Sequence, residues 1–399
     1  MNSAVEHNVI AASFRGPFTM QRLQTLLQFV EQDPGNLILI TEATEVAFEA
    51  NELEMATQLV ARCKEIASPS PELLNLEGMV ALRSGRLDEA ATIFETLISA
   101  GVDAAAVRFN LAWVHALRNE HEAALLLLDD DVVAVSDRAA SLKVQALHHL
   151  GRIDEALAVG QEMAQRFPDN DSLLGALSVA AMDADDFALA RQYAESAKRG
   201  ADALTTQGLI ALNDSNIGQS LELFDRALAE QPNAPRAWIG KGLGLISTGQ
   251  TDVGIEALRK GAELFGDHLG SWIALGWTQF MERDLKAARE TFTHALSLDD
   301  NFAETHGGLA VLDFAEGNLD SAQRRADVAL RLDRECFGGM LARILLAEAK
   351  GNSIAAQKLW EKAINLPTGV DGKTLAQAMV GLGLDPGRMK PGVRNGNPS

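Results

Sequence analysis

Helix-like segments separated by short polar turns follow one another along this chain. The segment RAWIGKGLGLIS, residues 236–247, carries apolar side chains three and four residues apart, and so does VGIEALRKGAELF, residues 253–265. Small and polar residues, TGQTD, lie between them. Apolar spacing of three and four is typical of an amphipathic α-helix, and glycine among small polar residues is typical of a turn. The pattern predicts two helices joined by a tight turn.

This helix–turn–helix pattern recurs at a nearly fixed interval. The similar stretches GRLDEAATIF, GRIDEALAVG and GNLDSAQRRA begin at Gly85, Gly151 and Gly317. The alanine five residues after the first glycine of each stretch serves as a marker. Its equivalents along the chain are Ala56, Ala90, Ala124, Ala156, Ala190, Ser220, Gly254, Ala288, Ala322 and Ala356. Successive markers are 34, 34, 32, 34, 30, 34, 34, 34 and 34 residues apart. A fixed period of about 20 to 50 residues indicates a solenoid.

The repeated unit resembles the tetratricopeptide repeat. That family has a large apolar residue at position 4, Leu at 7, a small residue at 8, Ala at 20, an aromatic at 24, Ala at 27 and Pro at 32. Residues that match in three of the units are Gly208, Ala211, Phe224, Ala227 and Pro232, then Trp238, Gly242 and Leu245, then Trp272, Leu275, Gly276, Ala288, Phe292 and Ala295. The resemblance implies an all-α, right-handed superhelical solenoid of about ten antiparallel helix pairs, without strands.

The repeat register also predicts how the chain is organised. We expect an N-terminal segment with a degenerate half-repeat over residues 1–36, a solenoid over 37–367, a capping helix over 368–385 and a disordered tail over 386–399. Two steps are short: the third unit contains Asp129, Asp130 and Asp131 where its second helix should continue, and the fifth unit is short by four residues. Each departure is either a bend in the stack or an ordinary short turn.

Composition narrows the classes of partner. The 399 residues carry a formal net charge of −20, which argues against nucleic acid and anionic membranes and suits a basic protein partner. Cys63 and Cys336 lie far apart and suggest neither a disulfide framework nor a zinc site. No signal peptide and no membrane span is apparent, so we expect a cytoplasmic protein.

Catalytic and ligand-binding motifs are incomplete in this sequence. The stretch DGKT at 371–374 lacks the earlier glycine and the preceding strand of a nucleotide-binding loop. His148 and His149 are adjacent, whereas metal ligands on one helix prefer a spacing of three or four. We therefore predict no enzyme activity, no cofactor and no metal site.

The family lines its concave groove with first-helix positions near 2, 5, 9, 12 and 13. Trp238 and Trp272 occupy position 4 and Trp360 position 24, which are structural, whereas Trp113 and Trp277 occupy position 9, which the stack does not require. Apolar residues at groove positions form the predicted protein-binding stripe: Phe109, Trp113, Val179, Met182, Leu209, Leu212, Leu243, Ile246, Trp277, Phe280 and Phe314. A tightly wound superhelix that packs these residues between units explains them equally well.

Three classes of function remain open at this point. The favoured one is a non-catalytic adaptor or chaperone that binds an apolar peptide or amphipathic helix in the groove, as in some bacterial secretion and assembly systems. The alternative is a self-associating assembly scaffold, and a homo-oligomer is left open. An enzyme with an unrecognised site is the third.

Overall fold

The computed structural model describes residues 17–102 and 104–365, and every regular element in those residues is an α-helix. The helices are α1 (Pro17–Gln32), α2 (Leu37–Glu49), α3 (Leu53–Ile66), α4 (Pro71–Arg83), α5 (Leu87–Ser99), α6 (Ala105–Leu117), α7 (His121–Leu127), α8 (Asp130–Val135), α9 (Asp137–His149), α10 (Ile153–Arg166), α11 (Asp171–Asp183), α12 (Phe187–Ser196), α13 (Ala201–Asn213), α14 (Ile217–Glu230), α15 (Pro235–Ser247), α16 (Thr251–Phe265), α17 (Leu269–Met281), α18 (Leu285–Leu298), α19 (Ala303–Ala315), α20 (Leu319–Leu332), α21 (Phe337–Ala349) and α22 (Ser353–Ile364).

From α2 onward, the helices of the described residues form ten pairs, each with a first and a second helix. In the third pair, α7 and α8 together take the place of the second helix. Side-chain caps mark several first helices: Asn36, Ser70, Ser136 and Asn170 each accept a hydrogen bond from the backbone N–H three residues later. Such caps satisfy amides that have no partner inside the helix, and they fix where each unit begins.

One residue with left-handed backbone geometry joins the two helices of every pair. The ten residues and their φ angles are Asn51 (61°), Gly85 (72°), Asn119 (60°), Gly151 (70°), Asp185 (64°), Ser215 (61°), Gly249 (81°), Arg283 (64°), Gly317 (84°) and Gly351 (73°). At Gly151, its N–H donates to His148 O (2.9 Å) and the Arg152 N–H donates to Leu147 O (2.9 Å). These two bonds define a Schellman cap, and the other nine turns repeat them.

Small residues bring the helices close together around buried aromatics. In the sixth pair, a Cβ placed on Gly208 would lie 2.6 Å from the Phe224 ring, and one on Gly240 of the next pair would lie 2.3 Å from it. A Cβ placed on Gly276 would lie 2.8 Å from the Phe292 ring, and one placed on Gly308 would lie 2.6 Å from it. Both rings are fully buried. The glycines therefore leave room for Phe224 and Phe292 between their own repeat and the next.

The chain divides into two compact units, and the boundary falls within the sixth pair. The N-terminal unit comprises residues 1–207 and 229–233, and the C-terminal unit comprises 208–228 and 234–399. Alanine, leucine and valine dominate the core of the N-terminal unit. In the C-terminal unit, the position-24 aromatics Phe224, Phe292 and Trp360 are buried beside small residues.

The two short repeats have interrupted or shortened second helices. Helix α7 has seven residues, and after Leu128 the Asp129 side chain caps α8 by accepting from the Val132 N–H (3.0 Å). Asp129 also pairs with Arg108, and Asp130 pairs with Lys143, so positive charges offset part of the acidic run. In the fifth pair, α12 has ten residues and is followed by a turn at Gly200 (φ 115°).

The predicted all-α repeat solenoid is confirmed. Its handedness and the domain boundaries at 37 and 367 stay predictions. Helix α1 lies within the predicted N-terminal segment. The predicted capping helix (368–385) and tail (386–399) lie outside the described residues.

Candidate functional site

The predicted stripe falls in both units, and each unit is described separately. Four residues belong to the N-terminal unit, namely Phe109, Trp113, Val179 and Met182; seven belong to the C-terminal unit, namely Leu209, Leu212, Leu243, Ile246, Trp277, Phe280 and Phe314. Leu243 is exposed, and the other ten are half-buried. The ten half-buried residues therefore belong neither to the core nor to the fully exposed surface.

In the N-terminal unit, the aromatic pair of the third repeat is packed edge to face. The rings of Phe109 and Trp113 on α6 lie 5.6 Å apart at 72°. Trp113 packs against two clusters of buried residues. One contains Phe94 and Leu111, and the other contains Ala112 and Ala124. Trp113 thus contributes to packing between repeats and keeps part of its surface open.

In the C-terminal unit, an apolar face lies on the first helices α15, α17 and α19. We define it by Leu243, Ile246, Trp277, Phe280, Met281 and Phe314, which occupy equivalent register positions 9, 12 and 13. Leu243 is 38% exposed and Met281 is 62% exposed. Sequence reasoning did not select Met281, although it follows Phe280 directly at a groove position. On α19, Val311 occupies position 9 and is buried.

Trp277 lies in a cluster of aromatic rings contributed by three helices. Its ring lies 5.7 Å from Phe280 on α17, 5.5 Å from Phe292 on α18 and 5.7 Å from Phe337 on α21, all edge to face. The first helix of the eighth repeat thereby contacts the beginning of the tenth. This geometry favours packing between units as the role of Trp277, and its part in binding stays a proposal.

The carboxylate of Glu304, a half-buried residue, holds the Trp277 indole in place. The Trp277 Nε1–H donates to Glu304 Oε1 (3.0 Å), the Gly338 backbone N–H donates to both carboxylate oxygens (3.1 Å each), and the Cys336 thiol donates to Oε2 (3.1 Å). Gly338 lies in the first turn of α21, where free amides favour a negative charge. We refer to these four residues as the Glu304 network.

Electrostatics in the Glu304 network follow from burial. Burial raises the pKa of Glu304, and the hydrogen bonds from Cys336, Gly338 and Trp277 act in the opposite direction. Burial and the neighbouring carboxylate raise the pKa of the Cys336 thiol, so it stays protonated and serves as a donor. Spacing could not have found this network, because Glu304 is an acid in the first turn of a helix, like many others in the chain.

A second acid of the C-terminal unit, Asp313, connects neighbouring helices. Asp313 is buried on α19 and bound by Arg289 (2.8 Å), Arg325 (3.1 Å) and Ser321 (2.6 Å), which joins α18, α19 and α20. Within residues 17–102 and 104–365, no three side chains of His, Cys, Asp or Glu converge in a way that could hold a metal ion.

Part of the sequence matches a known protein family. Residues 75–134 and 205–245 match the family model described as tetratricopeptide repeat. Helix pairs with left-handed turns recur throughout the described residues, and close contacts between glycines and a buried aromatic recur at Phe94, Phe224 and Phe292. The family model identifies tetratricopeptide repeats in those two stretches, and the helix pairs of the described residues extend the same architecture beyond them.

Among solved structures, this chain is similar to one in the crystal structure of the APC/C hetero-tetramer Cut9–Hcn1. The TM-score is 0.50 and the sequence identity 12%, and the match covers 87% of this chain and 84% of that chain. At this identity the likeness concerns the fold alone. No curated protein matches the sequence. Within the described residues, none of the helices combines the length and the hydrophobicity needed to cross a bilayer.

Proposed function

We propose that this protein is a non-catalytic adaptor or chaperone whose apolar face in the C-terminal unit binds an apolar peptide or an amphipathic helix. The exposure of Leu243 and Met281 carries the proposal, because large apolar side chains are left in water at register positions that the repeat does not need for its core. Ile246, Phe280 and Phe314 lie half-buried at equivalent positions and extend the surface.

Charge complementarity defines the partner further. The formal net charge of −20 favours a ligand that carries Lys and Arg beside its apolar residues. An amphipathic helix with apolar residues at spacings of three and four and a basic rim has this chemistry. A chaperone for exported or assembling proteins is one specific form of this function.

Binding of a synthetic Leu/Lys amphipathic peptide tests the proposal. The double variant Leu243→Glu, Met281→Glu places two charges on the apolar face, and we expect the Kd measured by fluorescence anisotropy to rise at least tenfold, about 1.4 kcal/mol. Val253→Glu is the matched control, since Val253 is 58% exposed on the second helix α16, outside the face, and its Kd should equal that of the wild type.

Two outcomes contradict the proposal. Equal Kd values for the double variant and the wild type would exclude the face, and so would absence of saturable binding to the wild type. Sedimentation equilibrium on the same samples examines the scaffold alternative. A mass that rises with concentration in the wild type, but not in the double variant, would assign the apolar face to self-association.

A further inference from the structure

Histidines cluster where the third and fourth repeats of the N-terminal unit meet. The rings of His121 and His149 are stacked with 4.6 Å between centroids and 5° between planes. The ring of His148 lies edge-on to His149 at 5.8 Å, and His148 Nε2 lies 2.7 Å from Asp183 Oδ2. Four of the eight histidines of the chain, His115 included, thus lie between residues 115 and 149.

The stacked pair connects an irregular element to a regular one. His121 is the first residue of α7, the seven-residue helix that ends where the second helix of the third repeat is interrupted. His149 is the last residue of α9, the first helix of the fourth repeat. The stack therefore joins the interrupted second helix of the third repeat to the fourth repeat.

His121 is held in a place that suits the neutral imidazole. It is half-buried, and its Nδ1 is buried with no hydrogen-bond partner. Burial lowers the pKa of His121 from its ordinary 6.5. A protonated imidazole carries two N–H donors, and an N–H at Nδ1 would have no acceptor here.

The charged groups of the neighbouring elements are already engaged with one another. On the α6 side, His115 and Arg118 lie 2.6 and 3.0 Å from Glu120, respectively. On the α10 side, Arg152 pairs with Glu155 at 2.6 Å and also interacts with Glu122. Further along, Asp129 and Asp130 of the α8 segment contact Arg108 and Lys143, respectively. None of these acids is a hydrogen-bond partner of His121 Nδ1.

We propose that the His121–His149 stack is an acid-sensitive clasp, which holds α7 against α9 when both rings are neutral and releases it when both are protonated. His149 is exposed at the end of α9. A proton on His121 places a positive charge in a half-buried position with no acceptor for the N–H at Nδ1, and a proton on His149 adds a like charge 4.6 Å away that repels it.

The direction of the pH effect follows from the lowered pKa of His121. The unfolded or opened segment binds a proton near pH 6.5, whereas the closed state binds it only at lower pH. The contribution of the clasp is therefore complete above pH 6.5 and is lost as the pH falls from 6.5 toward the lowered pKa. Asp129 titrates below this range, because its hydrogen bond to Val132 N lowers its pKa from an ordinary value of 3.8.

Amide hydrogen exchange of residues 121–135 in the full-length protein tests the clasp at about pH 7.5 and about pH 5.5, after correction for intrinsic rates. In the wild type, the opening constant of this segment should rise up to about tenfold per pH unit below 6.5. His121→Phe keeps an aromatic ring but cannot titrate, so its opening constant should not change with pH. His294→Phe, at an exposed histidine of α18, should respond like the wild type.

A titration of the wild-type histidine rings by NMR decides the question even if His121→Phe folds poorly. Protonation of His121 should coincide with the increase in opening. The proposal is wrong if the segment stays closed while His121 titrates, or if folded His121→Phe keeps the acid response. Opening that follows the titration of His148 alone would also overturn it, because the His148–Asp183 pair would then be the sensor.

Discussion

At the scale of single residues, Glu304 shows how a repeat protein can place a charge inside its stack. Its carboxylate accepts hydrogen bonds from Trp277, Cys336 and Gly338, which belong to the eighth repeat and to the beginning of the tenth. A buried acid is tolerable only when donors surround it, and here a helix N-terminus supplies one of them. Glu304 therefore links three consecutive repeats.

Replacement of Glu304 by Ala should destabilise the protein by at least about 2 kcal/mol, because it leaves the Trp277 indole and the Gly338 amide without an acceptor. Urea unfolding followed by circular dichroism measures the change. Glu290→Ala is the control: its side chain is 71% exposed and lies 4.0 Å from Lys286, so the effect should stay within about 0.5 kcal/mol. Similar midpoints for both variants would contradict a structural role for the network.

Two tryptophans of the C-terminal unit, Trp277 and Trp272, should contribute differently to the free energy of unfolding. Trp277→Ala removes a ring that contacts Phe280, Phe292 and Phe337, and we expect it to cost about 3 kcal/mol of unfolding free energy. Trp272, at a structural position by sequence, is half-exposed with its indole N–H bonded to Gly266 O (2.7 Å). Trp272→Ala should therefore cost less than Trp277→Ala in the same urea melts, and the opposite order would show that the aromatic cluster contributes little.

At the scale of elements, the turn between paired helices was only partly visible in the sequence. Glycines such as Gly85, Gly151 and Gly317 predict a residue with left-handed backbone geometry. Ser215 and Arg283 adopt the same geometry, although their residue types do not predict it. The register alone identifies them. The break between α7 and α8 was signalled by Asp129–Asp131, yet its outcome as a capped second helix depended on contacts with Arg108 that no local pattern encodes.

Relief of the left-handed strain should stabilise two turns. Ser215→Gly and Arg283→Gly remove a Cβ that costs about 1–2 kcal/mol in this geometry, and the added freedom of the unfolded chain offsets part of the gain. We expect a net increase in unfolding free energy of about 0.5–1 kcal/mol for each variant, measured by urea melts. Gly249→Ala, at the equivalent residue of the seventh repeat, should lower stability by a similar amount. Destabilisation by either glycine variant would show that its turn is not strained.

At the scale of the whole molecule, periodicity predicted the number and type of helices because each unit repeats the same packing problem. The apolar stripe was harder to assign, since a groove residue and an inter-repeat residue have the same hydrophobicity. Leu243 and Trp277 occupy the same position 9, yet one is exposed and the other is packed among aromatic rings. The difference arises from Glu304 and Phe337, one and two repeats further along the chain from Trp277, which sequence spacing does not bring together.

Nearest-neighbour packing also predicts that damage stays local. Phe292→Ala empties the space between Gly276 and Gly308, and we expect a cost of about 3–5 kcal/mol confined to the adjacent repeats. Hydrogen exchange should accelerate in α17–α20 and remain unchanged in α4–α6. Phe94→Ala, which affects the equivalent ring beside Gly78, should give the reverse pattern. Acceleration of both regions by either variant would indicate global cooperativity instead.

The left-handed turns also bear on how this lineage can change. Ten equivalent sites hold five residue types, Gly, Asn, Asp, Ser and Arg, because the reversal depends on backbone hydrogen bonds and not on one side chain. Residue identity can therefore drift at the turn while the geometry persists. The family model matches only residues 75–134 and 205–245, whereas the helix pairs extend from 37 to 364. In this chain the architecture extends beyond the residues that match the sequence model, so structural comparison should find relatives that sequence comparison misses.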